Sequence, residues 1–207
     1  MAGTVIRSFN SPTAAPYGLA WDGRTLWHTE ITNKKLLQID PATGRVIRTL
    51  ATFSTRPRDL AFDGRTLWLV DSNSLLIYQV DPATGRAIRS FTPPGETPLG
   101  LTFDGRALWN CDSTDDAIYQ IDPATGTVIR SFSTPQGQPA GLAWDGRYLW
   151  LSDLTTPLIS QIDPATARVI QSFSPPNTTP QGITWDGRTL WIADATAQAP
   201  KIYQIAV

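Results

Sequence analysis

The chain has 207 residues, with 17 Lys plus Arg against 18 Asp plus Glu, for a formal charge of −1. Charges of both signs are mixed along its length, so the basic stripe that a nucleic-acid surface needs is missing. A single cysteine excludes an intrachain disulfide, and no apolar run reaches membrane-spanning length.

The first predicted element is a lone strand, Gly3-Thr4-Val5-Ile6-Arg7-Ser8-Phe9, which matches Gly126-Thr127-Val128-Ile129-Arg130-Ser131-Phe132 residue for residue. After it, Asp-Gly-Arg-x-Leu-Trp begins at Asp22, Asp63, Asp104, Asp145 and Asp186, each copy 41 residues beyond the last. A period of that size means stacked supersecondary units. In the first unit, short apolar runs at about 18–21, 25–30, 35–39 and 45–50 alternate with turn signals, which predicts strands and no helix. Asp22-Gly23 joins the first two strands as a tight hairpin, a pair that tolerates positive φ at both positions. Asp40-Pro41-Ala42-Thr43-Gly44 joins the last two: Pro pre-sets φ, Asp accepts a local backbone bond and Gly supplies a left-handed exit. In the fourth unit Ala167 takes that glycine's place, at a cost of about 1 kcal/mol if the backbone is unchanged. A proline (Pro16, Pro57, Pro98, Pro139, Pro180) precedes every first strand.

Four antiparallel strands repeated radially predict one all-β domain, a five-bladed β-propeller. The blades fall at about 16–50, 57–91, 98–132, 139–173, and 180–207 together with 1–9. Ile202-Tyr203-Gln204-Ile205 reads as a third strand with no fourth, so the N-terminal strand is expected to complete the last blade and pair two open edges. A two-residue insertion ahead of Lys201 completes the count.

The order Pro-x-Gly-Leu-Ala-Trp-Asp-Gly, Leu-Trp-x-x-Asp, Gln-Ile-Asp-Pro-Ala-Thr-Gly and Val-Ile-Arg-Ser-Phe resembles NHL-type, YVTN-type and streptogramin-lyase-like repeats. It is also similar to the five-bladed glutaminyl cyclases, across the whole chain. In those cyclases a Leu-Tyr-Glu-Ser-Thr stretch carries the functional glutamate. Leu26-Trp27-His28-Thr29-Glu30 matches that stretch here and puts His28 in the glutamate slot, where the other blades have Leu69, Asn110, Leu151 and Ile192. Gln181-Gly182 keeps the family's Gln-Gly pair, but the strand after it has no Glu. The resemblance therefore implies at most an acid–base pair of His28 and Glu30, displaced by two residues on the same strand face.

Features copied in every blade read as architecture. Trp27, Trp68, Trp109, Trp150 and Trp191 suit packing between blades. Glu30, Asp71, Asp112, Asp153 and Asp194 suit turn capping rather than a cation site. Gln38, Gln79, Gln120, Gln161 and Gln204 are expected to bond between blades. Differences between copies point to a site on the variable connections, which lie opposite the two faithful turns. They concentrate in blades one and two, at Tyr17, His28, Glu30, Lys34, Arg56, Arg58 and Asp59, with Asn33 and Lys35 nearby. His28 is the only histidine, and Asp59 stands where the other four blades have Gly.

No nucleophile–base–orienter set and no metal-ligand spacing can be read, so neither catalytic residues, a metal nor a cofactor is expected. The expectation is a non-catalytic, monomeric binding propeller for a small polar ligand, a glycan or a protein segment, without nucleic-acid or membrane partners. A cyclase- or lyase-like enzyme using His28 and Glu30 is the alternative, and a symmetric scaffold without ligand, engineered or recently amplified, is the third reading. With no signal peptide read at Met1, a cytoplasmic location is the default expectation.

Overall fold

The computed structural model describes residues 3–196 and 199–207. A lone strand β1 (Thr4–Asn10) opens the chain, and blade one follows as β2 (Pro16–Trp21), β3 (Leu26–Glu30), β4 (Lys35–Ile39) and β5 (Val46–Ala51). Blade two is β6 (Pro57–Phe62), β7 (Leu67–Asp71), β8 (Leu76–Val80) and β9 (Ala87–Phe91). Blade three is β10 (Pro98–Phe103), β11 (Leu108–Asp112), β12 (Ala117–Ile121) and β13 (Val128–Ser133). Blade four is β14 (Pro139–Trp144), β15 (Leu149–Asp153), β16 (Leu158–Asp163) and β17 (Arg168–Phe173). The last blade comprises β18 (Pro180–Trp185), β19 (Leu190–Asp194) and β20 (Lys201–Ala206). Its sheet runs β1-β20-β19-β18, all antiparallel, so the first strand does close the ring against the last. The insertion expected ahead of Lys201 lies at 197–198, outside the described residues.

Five buried clusters join the blades, each taking a tryptophan from one blade and aliphatics from the next. Trp27 packs with Leu60, Leu67, Leu69 and Val80, and Trp191 packs with Leu19, Leu26, Leu37 and Ile39 across the closure. A residue of the outermost strand covers each of these two rings from the outside: Phe9 of β1 lies 6.0 Å from Trp191, and Arg48 of β5 stacks 5.2 Å over Trp27. Both sheet faces are thereby buried, which is why β3, β7, β11, β15 and β19 are buried at every residue.

The repeated motif is a hydrogen-bond hub. Asp22 Oδ1 accepts the Arg24 and Thr25 N–H groups at 2.9 and 2.6 Å, while Oδ2 accepts Thr25 Oγ1 at 2.6 Å and Trp27 Nε1 at 2.9 Å. Gln38 Nε2 donates to the same carboxylate at 3.3 Å. The glutamines thus bond within their own blade, not between blades as expected, because the hairpin brings Asp22 and strand β4 together. On the outer strands an inter-blade polar link is made by arginine: Arg48 donates to the Pro82 carbonyl at 2.6 Å and Arg89 to the Pro123 carbonyl at 2.6 Å. In the Asp-Gly pair only the glycine adopts positive φ (92° at Gly23), so the aspartate is there for its carboxylate rather than its backbone.

Two bulges recur. In the outermost strands the register slips by one residue, at Ile47 between Arg48 and Val46, and likewise around Ile6, Ile88, Ile129 and Ile170. In the innermost strands the register slips just after the leading proline, between Pro16 and Leu19 for instance, and between Pro139 and Gly141 in blade four. A bulge re-aims the side chains it carries. Here those are the two residues after the proline, and they face the axis.

Candidate functional site

At the second bulge residue the inner strands approach so closely that a side chain is excluded. A Cβ on Gly182 would lie 2.3 Å from the Tyr17 carbonyl oxygen, and one on Gly141 would lie 2.3 Å from that of Gln181. Blade two alone departs, and its Asp59 sends one carboxyl across the axis. Oδ1 accepts the N–H groups of Leu19 (3.1 Å) and Leu60 (2.9 Å), and Oδ2 accepts that of Leu101 (2.9 Å), with Leu142 a further donor. One side chain therefore ties four blades together. Burial pushes its carboxyl up to about 8, against the downward pull of those four donors.

Above this plug the first bulge residues, Tyr17, Arg58, Leu99, Ala140 and Gln181, form a ring around a 310 Å³ cup at the variable-connection end. Ser113, Gln138 and Leu154 extend its wall on the side of blades three and four. Arg58 is stacked 4.8 Å over the Tyr17 ring, and its Nε donates to Ser72 Oγ at 3.1 Å. Burial, followed by the nearby Arg56, lowers the pKa of this guanidinium, while Tyr17 opposes the shift. On the far side of Asp59 a 140 Å³ space opens among Ala20, Ala61, Thr102 and the aromatic ends of the inner strands.

Of the seven candidates from the sequence, the structure brings Tyr17, Arg58 and Asp59 together in the cup. The other four lie elsewhere. His28 is 0% exposed: its Nδ1–H donates to the Gly18 carbonyl at 2.9 Å, and Nε2 is 3.3 Å from Thr13 Oγ1. Burial holds its pKa down at about 4. Asn110 does the same work in blade three, donating to the Gly100 carbonyl at 2.8 Å. Glu30 is 2% exposed and accepts the Asn33 N–H at 2.8 Å. With Asn33 and Lys35 it borders a separate groove on the flank of blade one. Lys34 is exposed in a turn with φ of 55°, its carbonyl accepting the Thr52 N–H at 3.1 Å. Arg56 is exposed on the connection into blade two, where its N–H donates to Asp71.

The acidic ring turns inward on the backbone. Asp71 Oδ1 accepts the N–H groups of Asn73 and Ser74, while Oδ2 accepts Ser54 Oγ and the Thr55 N–H. Burial would raise its pKa, but these donors outweigh it and hold the group at about 2. No cluster of three metal-binding side chains occurs among the described residues. Cys111 is fully buried, its Sγ accepting the Gly100 N–H at 3.2 Å, and burial pushes the thiol up and away from reactivity.

Sequence reasoning missed Leu99 and Ala140, and noted Gln181 only as half of the family's Gln-Gly pair. The signal was present: between a proline found in all five blades and a mostly invariant glycine stands one position occupied by five different residues.

No protein-family model and no curated protein sequence matches the chain. Its fold is similar to that of Myxococcus xanthus glutaminyl cyclase, with a TM-score of 0.81 at 15% identity over 98% of this chain and 94% of that one. It is also similar to virginiamycin B lyase from Staphylococcus aureus, at 0.58 and 22% over 96% of this chain and 68% of that one. A nidogen/laminin complex contains a further likeness, at 0.66 and 22% over 86% and 72%. At these identities the likeness is one of fold.

Proposed function

We propose that this propeller is a rigid binding protein that takes a small polar ligand in the axial cup. The observation that carries the reading is the contrast within each blade. Turns, tryptophans and glycines repeat, while the five residues around the cup are all different and include an aromatic face, a guanidinium and an amide. A concave site with a few convergent polar groups is the usual form of a ligand pocket. Pre-organisation supports it too, because a site built on inner strands whose axis is tied across four blades loses little entropy on binding.

The test is a thermal-shift screen of monosaccharides, amino acids and small organic acids against the wild type and Tyr17→Ala. A ligand at about a hundred times its Kd should raise Tm by about 5–10 °C. The rise should vanish in Tyr17→Ala, whose unliganded Tm stays near that of the wild type because the side chain is half-exposed. Equal shifts in both proteins would place binding elsewhere.

The second reading is a cyclase- or lyase-type activity through His28 and Glu30, supported by the whole-chain likeness to a glutaminyl cyclase fold. The burial of both side chains and their engagement with backbone groups weigh against it. Conversion of N-terminal glutamine peptides that Glu30→Gln abolishes would establish it in place of the binding reading.

A further inference from the structure

The charged group of the cup is held in place yet left unanswered. Arg58 is fixed by Ser72 and by stacking on and bonding to Tyr17, but no Asp or Glu among the described residues pairs with it. Asp59, its neighbour in sequence, turns its carboxyl to the axial N–H groups instead. A half-buried guanidinium without a counter-ion is costly, and an anion arriving through the open mouth relieves that cost with charge-assisted bonds. Across the cup Leu99, Ala140 and Leu154 give the wall apolar patches between the neutral polar side chains of Ser113, Gln138 and Gln181. The backbone donors at the floor are already taken by Asp59, and no second cation lines the space, so its single positive charge matches a monoanion better than a phosphate dianion. One fork-shaped donor in a cup with apolar patches at Leu99, Ala140 and Leu154 fits a planar carboxylate on a partly apolar body.

Building on the binding reading above, we propose that the cup selects a small organic monocarboxylate with a partly apolar body. The carboxylate seats on the two terminal nitrogens of Arg58, and the body rests on Leu99, Ala140 and Leu154. The closed floor at Asp59 limits the ligand to what 310 Å³ holds.

The test compares N-acetylleucine, N-acetylleucinamide and inorganic phosphate by amide NMR titration of the full chain, following Gly137 and Gly182 at the cup. The acid should bind about tenfold or more tightly than its amide, since a charge-assisted pair is lost in the latter, and phosphate should bind more weakly than the acid. Arg58→Gln should bring the acid down to the affinity of the amide, with the rest of the spectrum unchanged. Rising salt should weaken the acid alone. Acid and amide binding equally at the cup, phosphate binding more tightly, or an acid preference that survives in Arg58→Gln would overturn the carboxylate assignment while leaving the cup a binding site. If none of the probes shifts the cup amides, the assignment falls. If the neutral sugars and amino acids of the wider screen also leave them unmoved, the binding reading falls with it.

Discussion

Single residues explain why some columns of the repeat are copied faithfully and others are not. Losing Asp22 would strand a buried indole N–H, the Thr25 hydroxyl and two turn N–H groups at once, so that aspartate recurs in every blade. Ala167 shows the opposite tolerance. It holds φ at 59° in the slot where Gly44, Gly85 and Gly126 hold 73°, 73° and 76°, and its N–H makes the same 2.8 Å bond to the Asp163 carbonyl. The turn is kept and the alanine is strained into it. Ala167→Gly should therefore stabilise the protein by about 1 kcal/mol, read as a higher urea midpoint at unchanged m-value. A lower midpoint would mean that the loss of unfolded-state entropy with alanine outweighs its strain.

At the scale of elements, closure of the ring rests on β1. Deleting residues 1–10 strips β20 of its partner, removes Phe9 from the face of Trp191 and leaves a long apolar edge. The loss of several kcal/mol should lower Tm by about 10 °C or more, by differential scanning fluorimetry. A shortened chain melting with the full one would show that β1 adds nothing to the last blade. This closure was legible in the sequence because matching strands such as 3–9 and 126–132 reveal themselves by identity. The site was legible only in part. Tyr17, Arg58 and Asp59 stood out as departures from a repeat, but the bulge that aims such residues inward is a register effect, and no residue type marks it. His28 misled for a related reason: rarity singled it out, yet Asn110 meets the same need, a donor for a buried backbone carbonyl, with a different side chain. The glutamines misled because their partner is 16 residues away and meets them only once the blade is folded.

For the whole molecule, two buried groups set opposed responses to pH. Asp59 holds its proton more tightly in the fold, at about 8 against an ordinary 3.8, so its contribution is complete below about 4 and is lost as pH rises towards 8. His28 is shifted the other way, about 4 against 6.5, so its contribution is complete above 6.5 and is lost as pH falls towards 4. Between about 4 and 6.5 the two slopes cancel. Above 6.5 only that of Asp59 remains, about 1.4 kcal/mol per pH unit. Urea titrations should give level stability from pH 5 to 6.5 and a fall of about 2 kcal/mol by pH 8.5. Asp59→Gly, the residue of the other blades, should remove that fall, and His28→Asn should extend it down to pH 5. A wild-type profile that stays level to pH 8.5 would mean that the axial N–H groups keep Asp59 ionised.

The first and last described strands meet as neighbours on the rim. Gly3 N–H bonds to the Ala206 carbonyl at 3.0 Å, as Gly44 bonds to Asp40 and Gly126 to Asp122 inside continuous turns. Geometrically, the break in the backbone sits where a fifth such turn would be. Opening the circle at any of the other four and sealing this one would permute the order of the blades and leave every neighbour in place, so the ring has no privileged starting point.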